Sequence, residues 1–308
     1  MDSKRIRKGI GRFFGWLGLS FCSLIIKIIP ASGLYGFSRG LAKLGYLVVH
    51  KQRKIALESL GMAFGKDKTA LEMERIARGC FTFMVKSGVE LLFLMDRPQM
   101  LKARVEIVGE EHLLGALSRG RGVILVSGHF GNFPLMLARL ALSGYKTAGI
   151  MRFMRDQRVE RIFLKKRDFF GIKTIYSQPR KACVDSSIRI LRNNELLFIP
   201  IDQNFGTGGI FVDFFGRKAA TATGPVILAQ RTGASILPCF IVRQKDDTHQ
   251  IIFEPVLELK EGQTPAETII INIQRLTSII ESYIRRYPDQ WGWIHRRWKS
   301  QMAPATGS

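Results

Sequence analysis

Cysteine is scarce in this sequence, and its four residues stand far apart, at positions 22, 80, 183 and 239. Each lies in an apolar context, and none forms a CxxC pair. This spacing does not suit a structural zinc site or the disulfide framework of a small secreted domain. The sequence therefore indicates a reducing compartment, and we expect no metal centre.

The sequence also lacks the short motifs that mark several common protein classes. It has no P-loop, no dinucleotide-binding GxGxxG motif and no GxSxG nucleophile elbow. No helix-turn-helix, RRM, KH or zinc-finger pattern is present, so only positive charge points to nucleic acid. We expect no nucleic-acid partner.

Acidic residues are few relative to basic ones. The 308 residues include 25 Asp and Glu against 47 Lys and Arg, a formal net charge of +22. A net charge of about 2–8 suffices to keep a small domain soluble, so this excess indicates a polyanionic partner such as a membrane surface, an acidic protein or a phosphorylated substrate. With 46% hydrophobic residues, the chain is long enough for one large domain with an N-terminal attachment segment.

An uninterrupted apolar run of the roughly 20 residues that a spanning helix needs is also missing. Residues 1–12 are basic, residues 13–26 are uncharged, and Lys27 and Pro30 interrupt the apolar sequence that continues to residue 38. We predict a helix that enters one leaflet, or two interfacial helices broken at Pro30, held by apolar burial and anionic lipid. A single span and a cleaved signal peptide are the alternatives.

Residues 50–100 show helical periodicity, and strand and helix patterns alternate from residue 105 onward. The predicted strands are 122–127, 146–151, 173–176, 196–201, 235–243 and 250–257. This alternation predicts an α/β fold, a single domain with a central mixed β-sheet flanked by helices. We expect a membrane-attachment segment at 1–50, the α/β domain at 51–303 and a tail at 304–308, with a glycine-rich loop at 205–223.

A histidine lies in a glycine-flanked turn between a predicted buried strand and a helix. This residue, His129, can act as a general base toward an attacking hydroxyl. The backbone N–H groups of Gly131, Asn132 and Phe133 can bind an anion or stabilise a carbonyl oxygen, because they stand at the start of the helix. Asn132 can also have a purely structural role as the N-cap residue of this helix.

Polar residues follow two other predicted strands, on the edge of the sheet where α/β proteins bind ligands. Asp202, Gln203 and Asn204 can position a substrate or His129, or form an ordinary Asx-type turn. Arg152 is a candidate clamp for a phosphate or carboxylate.

Arg155 belongs to a predicted helix face with arginines at three-residue spacing, which is typical of a solvated face.

Two further segments combine aromatic and basic residues. Residues 209–218 can line an acyl-chain groove or form a buried connector. Residues 288–299 place tryptophans beside arginines, a composition that suits a membrane–water interface or stacking on nucleic acid.

Together these segments resemble the late lipid A acyltransferases of bacteria (lauroyl and myristoyl transferases), a branch of the lysophospholipid acyltransferase superfamily. The matching blocks, in the family's order, are 127–132, 202–204 with the glycine-rich loop, 214–216 with 222–225, and 288–299. The resemblance covers roughly residues 15–300.

The resemblance implies a membrane-bound O-acyltransferase on the cytoplasmic face of the bacterial inner membrane. Such an enzyme moves a fatty acyl group from an acyl carrier protein (or coenzyme A) thioester to a hydroxyl of an anionic glycolipid such as a lipid A precursor, without a further cofactor. His129 and Asp202 are then the expected catalytic residues. The expected substrate-binding residues are Gly131, Asn132, Arg152, Arg155, Gln203 and Asn204.

The sequence departs from the family at one position. The family places an Asp or Glu five residues after the histidine, and this chain has Pro134 there. Another group must then orient the imidazole; Asp202 is the first candidate, with Glu90 or a backbone carbonyl as alternatives. Without such a group, the protein would be a catalytically impaired or accessory lipid-binding relative, because loss of an orienting acid costs several orders of magnitude in rate.

Overall fold

The first third of the chain is helical. The computed structural model describes residues 3–154 and 156–300. The helices are α1 (Ser3–Ile28), α2 (Leu34–Val48), α3 (His50–Phe64), α4 (Ala70–Leu94) and α5 (Pro98–Arg104). The predicted break at Pro30 is present, since this residue is extended and lies between α1 and a 3-10 turn at Ala31–Gly33.

Strands and helices alternate through the rest of the chain. The strands are β1 (Val105–Val108), β2 (Val123–Ser127), β3 (Thr147–Met151), β4 (Lys173–Tyr176), β5 (Leu196–Pro200), β6 (Ile210–Phe214), β7 (Arg217–Thr221), β8 (Ser235–Arg243) and β9 (His249–Phe253). The helices are α6 (Glu110–Leu117), α7 (Phe133–Leu142), α8 (Gln157–Phe169), α9 (Arg180–Arg192), α10 (Gly224–Thr232) and α11 (Pro265–Arg286).

Seven strands form one mixed sheet in the order β1-β9-β8-β2-β5-β3-β4. Every neighbouring pair is parallel except β8 and β9, which are antiparallel. The α/β fold with a mixed central sheet is therefore confirmed. β2 and β5 lie at its centre, covered by helices on both faces.

The core lies on both faces of this sheet. All five residues of β2 are buried, which explains why the strand is almost continuously apolar in sequence. Its alternate side chains enter different clusters: Ile124 packs with α11 residues such as Ile280, and Leu125 packs with α7 residues such as Leu137. The sheet is thus held rigidly between two apolar layers.

The prediction of a glycine-rich loop at 205–223 is wrong in part, because β6 and β7 form an antiparallel hairpin within these residues. The two residues of its turn, Phe215 and Gly216, have φ of +53° and +68°. Two consecutive positive φ values are the mark of a type I′ hairpin turn, which usually contains Asn-Gly or Asp-Gly. Phe214 and Phe215 are buried, whereas Asp213, Arg217 and Lys218 are exposed, so the hairpin has one face in the core and the other at the surface.

The N-terminal helices pack on the rest of the protein. α1 and α2 both contact α4, and Ile26, Leu34 and Tyr46 are buried. Residues 13–38 thus form parts of two helices instead of one continuous one. In the part of the chain that the structure describes, no helix is both long enough and apolar enough to cross a membrane.

Candidate active site

The register of the sheet brings His129 and Asp202 together. β2 and β5 are parallel, with Ser127 opposite Pro200, and the Ile201 amide donates to the Ser127 carbonyl at 3.0 Å. His129 and Asp202 each lie two residues beyond this pair. Because parallel strands end at the same edge of a sheet, both side chains emerge there side by side.

Asp202 holds His129 through both ring and backbone. Nδ1 of His129 lies 2.7 Å from Oδ1 of Asp202, and the His129 amide donates to Oδ2 at 2.7 Å. Nε1–H of Trp291 donates to the same Oδ2 at 2.6 Å. Asp202 is only 3% exposed, whereas 32% of the His129 side chain is exposed. The contacts fix the imidazole and direct Nε2 away from the carboxylate.

These contacts determine the charge of Asp202. Burial alone would raise the pKa of its carboxyl, but electrostatic attraction to the His129 ring and the hydrogen bonds from His129 and Trp291 outweigh burial and lower that pKa. An ionised Asp202 accepts Nδ1–H of neutral His129, which leaves the Nε2 lone pair available for a proton. This is the arrangement of a histidine general base.

Gly131 fixes the turn that follows His129. Its φ is +61°, and a Cβ there would lie 1.8 Å from the carbonyl oxygen of Ile241, so no other residue fits without moving the backbone. Its N–H donates to the Gln290 carbonyl at 2.9 Å. The expectation that the Gly131 amide binds substrate is therefore corrected, because that amide is already used.

The amides of Asn132 and Phe133 stand at the open N-terminal turn of α7. Within the residues that the structure describes, neither amide has an acceptor, and Pro134, which follows, has no N–H. The Asn132 side chain does not cap the helix; it donates to the Ser87 carbonyl at 3.2 Å and to the Glu90 carboxylate at 3.0 Å. The two free amides can stabilise an oxyanion beside His129.

His129 faces a largely apolar cavity of about 450 Å³ between α4, α7 and the C-terminal segment. The apolar part of its wall includes Phe83, Met84, Gly88, Leu91, Phe133 and Ile294. This volume is in the usual range for a small-molecule site. The site thus combines a base, two free amides and an apolar cavity.

Comparison with known proteins identifies the family. The family model described as "Bacterial lipid A biosynthesis acyltransferase" matches residues 3–300. The chain belongs to the bacterial lipid A biosynthesis acyltransferases. It is therefore an acyltransferase, and the family resemblance of the sequence blocks is confirmed.

Known relatives of this acyltransferase match it over most of its length. The lipid A biosynthesis lauroyltransferase of Escherichia coli (strain K12) is 25% identical over 291 residues, which cover 93% of this chain and 91% of the relative. A lipid A biosynthesis acyltransferase of Haemophilus influenzae is 25% identical over 290 residues, 91% of this chain and 85% of the relative. A phosphatidylinositol mannoside acyltransferase of Mycolicibacterium smegmatis is 22% identical over 204 residues, 66% of this chain and 65% of the relative.

Pro134 lies in the first turn of α7 and on the cavity wall of the acyltransferase. Proline is sterically tolerated there because the first turn has no intrahelical acceptor for its missing N–H. Of the groups considered for orienting His129, Asp202 is the one in contact with the imidazole. Glu90 instead contacts Asn132, on the other side of the turn.

The remaining expected binding residues differ in position. Arg152 is exposed at the end of β3 and lies close enough to His295 to lower the pKa of that imidazole. Gln203 lines the cavity. Asn204 does not, because its side-chain amide exchanges hydrogen bonds with Ser300 at 3.1 and 3.2 Å. Arg155 lies outside the described residues.

The C-terminal aromatic and basic segment forms part of the core, so its interpretation as a membrane–water interface or nucleic-acid surface is wrong. Trp291 and Trp293 are 2% and 0% exposed. Arg297 is fully buried and donates to the Gln203 carbonyl at 3.3 Å and to the Ala220 carbonyl at 2.5 Å. Burial lowers the pKa of its guanidinium to about 10. The segment fastens the loops that carry Asp202.

Sequence reasoning missed two residues of the site. Trp291 donates a hydrogen bond to the Asp202 carboxylate, and its proximity was not evident because 89 residues separate it from Asp202. His295 lines the cavity; burial, followed by the charges of His129, Arg297 and Arg152, lowers its pKa despite the opposing effect of Asp202. The family block at 288–299 was the available signal for both.

Proposed function

We propose that this acyltransferase transfers a fatty acyl group from a thioester of acyl carrier protein, or of coenzyme A, to a hydroxyl of a lipid A precursor or related glycolipid. The observation that carries the proposal is the 2.7 Å contact between Asp202 and Nδ1 of His129 at the mouth of an apolar cavity. His129 is then the general base, and Asp202 keeps it in the required tautomer.

The reaction follows from these positions. Nε2 of His129 takes the proton of the acceptor hydroxyl as its oxygen attacks the thioester carbonyl carbon. The amides of Asn132 and Phe133 stabilise the negative oxygen of the tetrahedral intermediate, an effect typically worth 10²–10³ in rate per donor. When the intermediate collapses, the C–S bond breaks and the thiolate recovers the proton from the imidazolium, so the base is regenerated.

The cavity and the charge suit these substrates. The apolar wall along α4 and α7 accommodates an acyl chain. Arg152 is exposed, lies near enough to His295 of the cavity wall to interact with its charge, and can pair with a phosphate of the acceptor. The net charge of +22 favours an acidic carrier protein and anionic lipid. Relatives named for both lipid A and phosphatidylinositol mannoside leave more than one glycolipid class as an acceptor.

We further propose attachment to the cytoplasmic face of the bacterial inner membrane through α1. Large apolar side chains at a spacing of three or four residues form one exposed face of this helix: Phe13, Leu17, Phe21, Leu24 and Ile28. We call this face the apolar stripe. A helix with such a face lies in the headgroup region with its apolar side in the leaflet.

The test of the activity uses purified protein, acyl carrier protein thioesters and lipid A precursor, with products measured by mass spectrometry. Wild type is expected to transfer the acyl group, and His129→Ala to lose at least about 10²-fold in kcat. Equal rates for the two proteins would refute the mechanism.

A catalytically impaired or accessory lipid-binding protein is the second candidate function, because Pro134 stands where the family has an acid. The contact with Asp202 supports the enzyme instead. Pro134→Glu separates the two candidates. Absence of transfer both before and after this substitution, with lipid binding intact, would favour the accessory function.

A further inference from the structure

Glu90, on α4, is a fully buried carboxylate that the proposed reaction does not use. Both of its oxygens lie 2.6 Å from guanidinium nitrogens of Arg243 and 3.2 Å from Nε2 of buried His249. The hydroxyl of Tyr35, on α2, donates to it at 2.9 Å. Glu90 thus joins α2, α4, β8 and β9 at one point.

Stability alone does not account for such a cluster. Buried ion pairs lose much of their attraction to desolvation, and well-packed apolar residues often stabilise a core as well or better. Arg243 and Glu90 are 7% and 0% exposed in their side chains, so both have lost nearly all their water. A buried polar cluster of this kind can instead specify one local geometry.

The geometry that Glu90 specifies is that of Asn132. The side-chain NH₂ of Asn132 donates both to the Glu90 carboxylate and to the Ser87 carbonyl. Since both partners are acceptors only, the amide has one possible orientation. Asn132 is 1% exposed, so its side chain is a fixed tie between α4 and the turn after His129.

This tie acts at the junction between the turn after His129 and the start of α7, where the Asn132 carbonyl accepts from the Leu135 and Met136 amides at 2.9 and 3.1 Å. Gly131 is fixed by its bond to the Gln290 carbonyl and by its approach to Ile241. The next two amides, of Asn132 and Phe133, have no acceptor of their own within the described residues. The helix holds the Asn132 peptide from its carbonyl side, and the Asn132 side chain ties the same residue to Ser87 and Glu90 of α4.

We propose that Glu90 is a positioning residue that acts through the Asn132 side chain to direct the oxyanion-binding amides of Asn132 and Phe133. Tyr35 ties the same carboxylate to the N-terminal helices. This inference rests on the proposed acyl transfer. It predicts an effect on the chemical step, because an oxyanion interaction exists only in the transition state.

The first test is Asn132→Ala, which retains the backbone N–H and the ion pairs of Glu90 but removes the tie. We expect kcat for acyl transfer to fall about tenfold or more with little change in KM for the thioester. Unchanged kcat would overturn the inference. Glu195→Gln is the matched control: Glu195 is also buried and pairs with Lys173 at 2.7 Å, but it precedes β5, at the opposite end from Asp202. Its kcat is expected to stay within about twofold of wild type.

The second test is a double-mutant cycle of Glu90→Gln and Asn132→Ala. If Glu90 acts through Asn132, the loss in kcat caused by Glu90→Gln shrinks in the Asn132→Ala background. Fully additive losses would show a merely structural role and overturn the inference. If circular dichroism shows that Glu90→Gln is unfolded, Tyr35→Phe replaces it in the cycle, with the same two outcomes.

These results are separable from failure of the proposed function. Without transfer by wild type, or with His129→Ala as active as wild type, the function itself fails. With transfer that depends on His129 but is unaffected by Asn132→Ala, only the positioning role fails.

Discussion

At the scale of single residues, the site is built around a carboxylate that is placed differently from the family pattern. The resemblance to the family leads us to expect an acid five positions after His129; this chain has Pro134 there, and Asp202 contacts Nδ1. Asp202 comes from a different strand and is held by Trp291 as well. The imidazole is therefore oriented by tertiary structure and not by the local helix turn.

Asp202→Asn is expected to keep the fold but to lower kcat by about 10³–10⁴, because an amide can donate to Nδ1 and stabilise the wrong tautomer. Trp291→Phe retains an ionised Asp202 and is expected to have a smaller effect. Steady-state kinetics of both variants checks the order. A loss for Trp291→Phe as large as for Asp202→Asn would contradict it.

Glu90 is expected to make stability depend on pH. Burial would raise its pKa, but the hydrogen bond and charge of His249 and the guanidinium of Arg243 outweigh it and lower the pKa to about 2. A lowered pKa means that the stabilisation is complete above the ordinary value near 4.5 and is lost as pH falls from there toward 2. Two further charged residues complete the cluster. Asp247 lies 3.2 Å from the guanidinium of Arg243 and forms an ion pair with Lys86 at 2.6 Å.

The measurement is the free energy of unfolding in urea for wild type and Glu90→Gln. At pH 7 the variant is expected to be less stable by about 3–5 kcal/mol, because Arg243 loses its buried partner. The difference is expected to shrink between pH 4.5 and pH 2. A difference that is constant over this range would contradict the assignment.

At the scale of elements, α4 contributes to two parts of the structure with residues two positions apart. Glu90 points to the buried cluster, whereas Gly88 lies on the cavity wall. A Cβ at Gly88 would meet nothing within 4 Å, so a larger side chain there extends into the cavity. The helix itself tolerates the change, since glycine in a helix interior costs about 1 kcal/mol relative to alanine.

Gly88→Leu is therefore expected to shift acyl transfer toward shorter chains and to reduce transfer of the longest accepted chain about tenfold or more. Competition between thioesters of different length, read by mass spectrometry, measures this. Gly115→Leu on α6 is the control, because a Cβ there also meets nothing and Gly115 is exposed. An unchanged chain-length profile for Gly88→Leu would show that the acyl chain lies elsewhere.

At the scale of the whole molecule, charge and exposed apolar surface point to the same kind of partner. The chain carries a net +22, and the apolar stripe of α1 includes side chains as exposed as Ile28 at 77%. Ile26 of the same helix is 1% exposed, so α1 has one face in the core and large apolar side chains exposed on the other. Removing residues 1–38 would therefore also remove the buried Leu34 and the Tyr35 contact to Glu90.

Substitution within the apolar stripe is consequently a cleaner test of attachment than truncation. Phe21→Glu with Leu24→Glu is expected to lower binding to vesicles containing anionic lipid about tenfold or more, because burial of each large apolar side chain is worth about 1.5–3 kcal/mol. Leu71→Glu with Leu114→Glu, at exposed leucines outside α1, is the control. Equal vesicle sedimentation of the two double variants would show that α1 is not the anchor.

The sequence alone predicted the α/β class, the central strands, the Pro30 break and the pair of residues at the centre of the site. It could do so because these depend on local properties: apolar periodicity, proline and glycine geometry, and polar residues directly after buried strands. The family blocks added the reaction class. The β6–β7 hairpin escaped prediction because its turn contains Phe215 instead of an Asn or Asp.

The arrangement of the site depends on tertiary contacts that local sequence patterns do not specify. The distance between His129 and Asp202 depends on the order and register of β2 and β5, which hydrophobic pattern alone does not specify. The burial of Trp291 and Arg297 depends on a C-terminal segment packing against loops 70 to 90 residues away. The need for glycine at 131 and the pairing of buried Glu90 have the same origin, because the Ile241 carbonyl and the Arg243 guanidinium that approach them are distant in sequence.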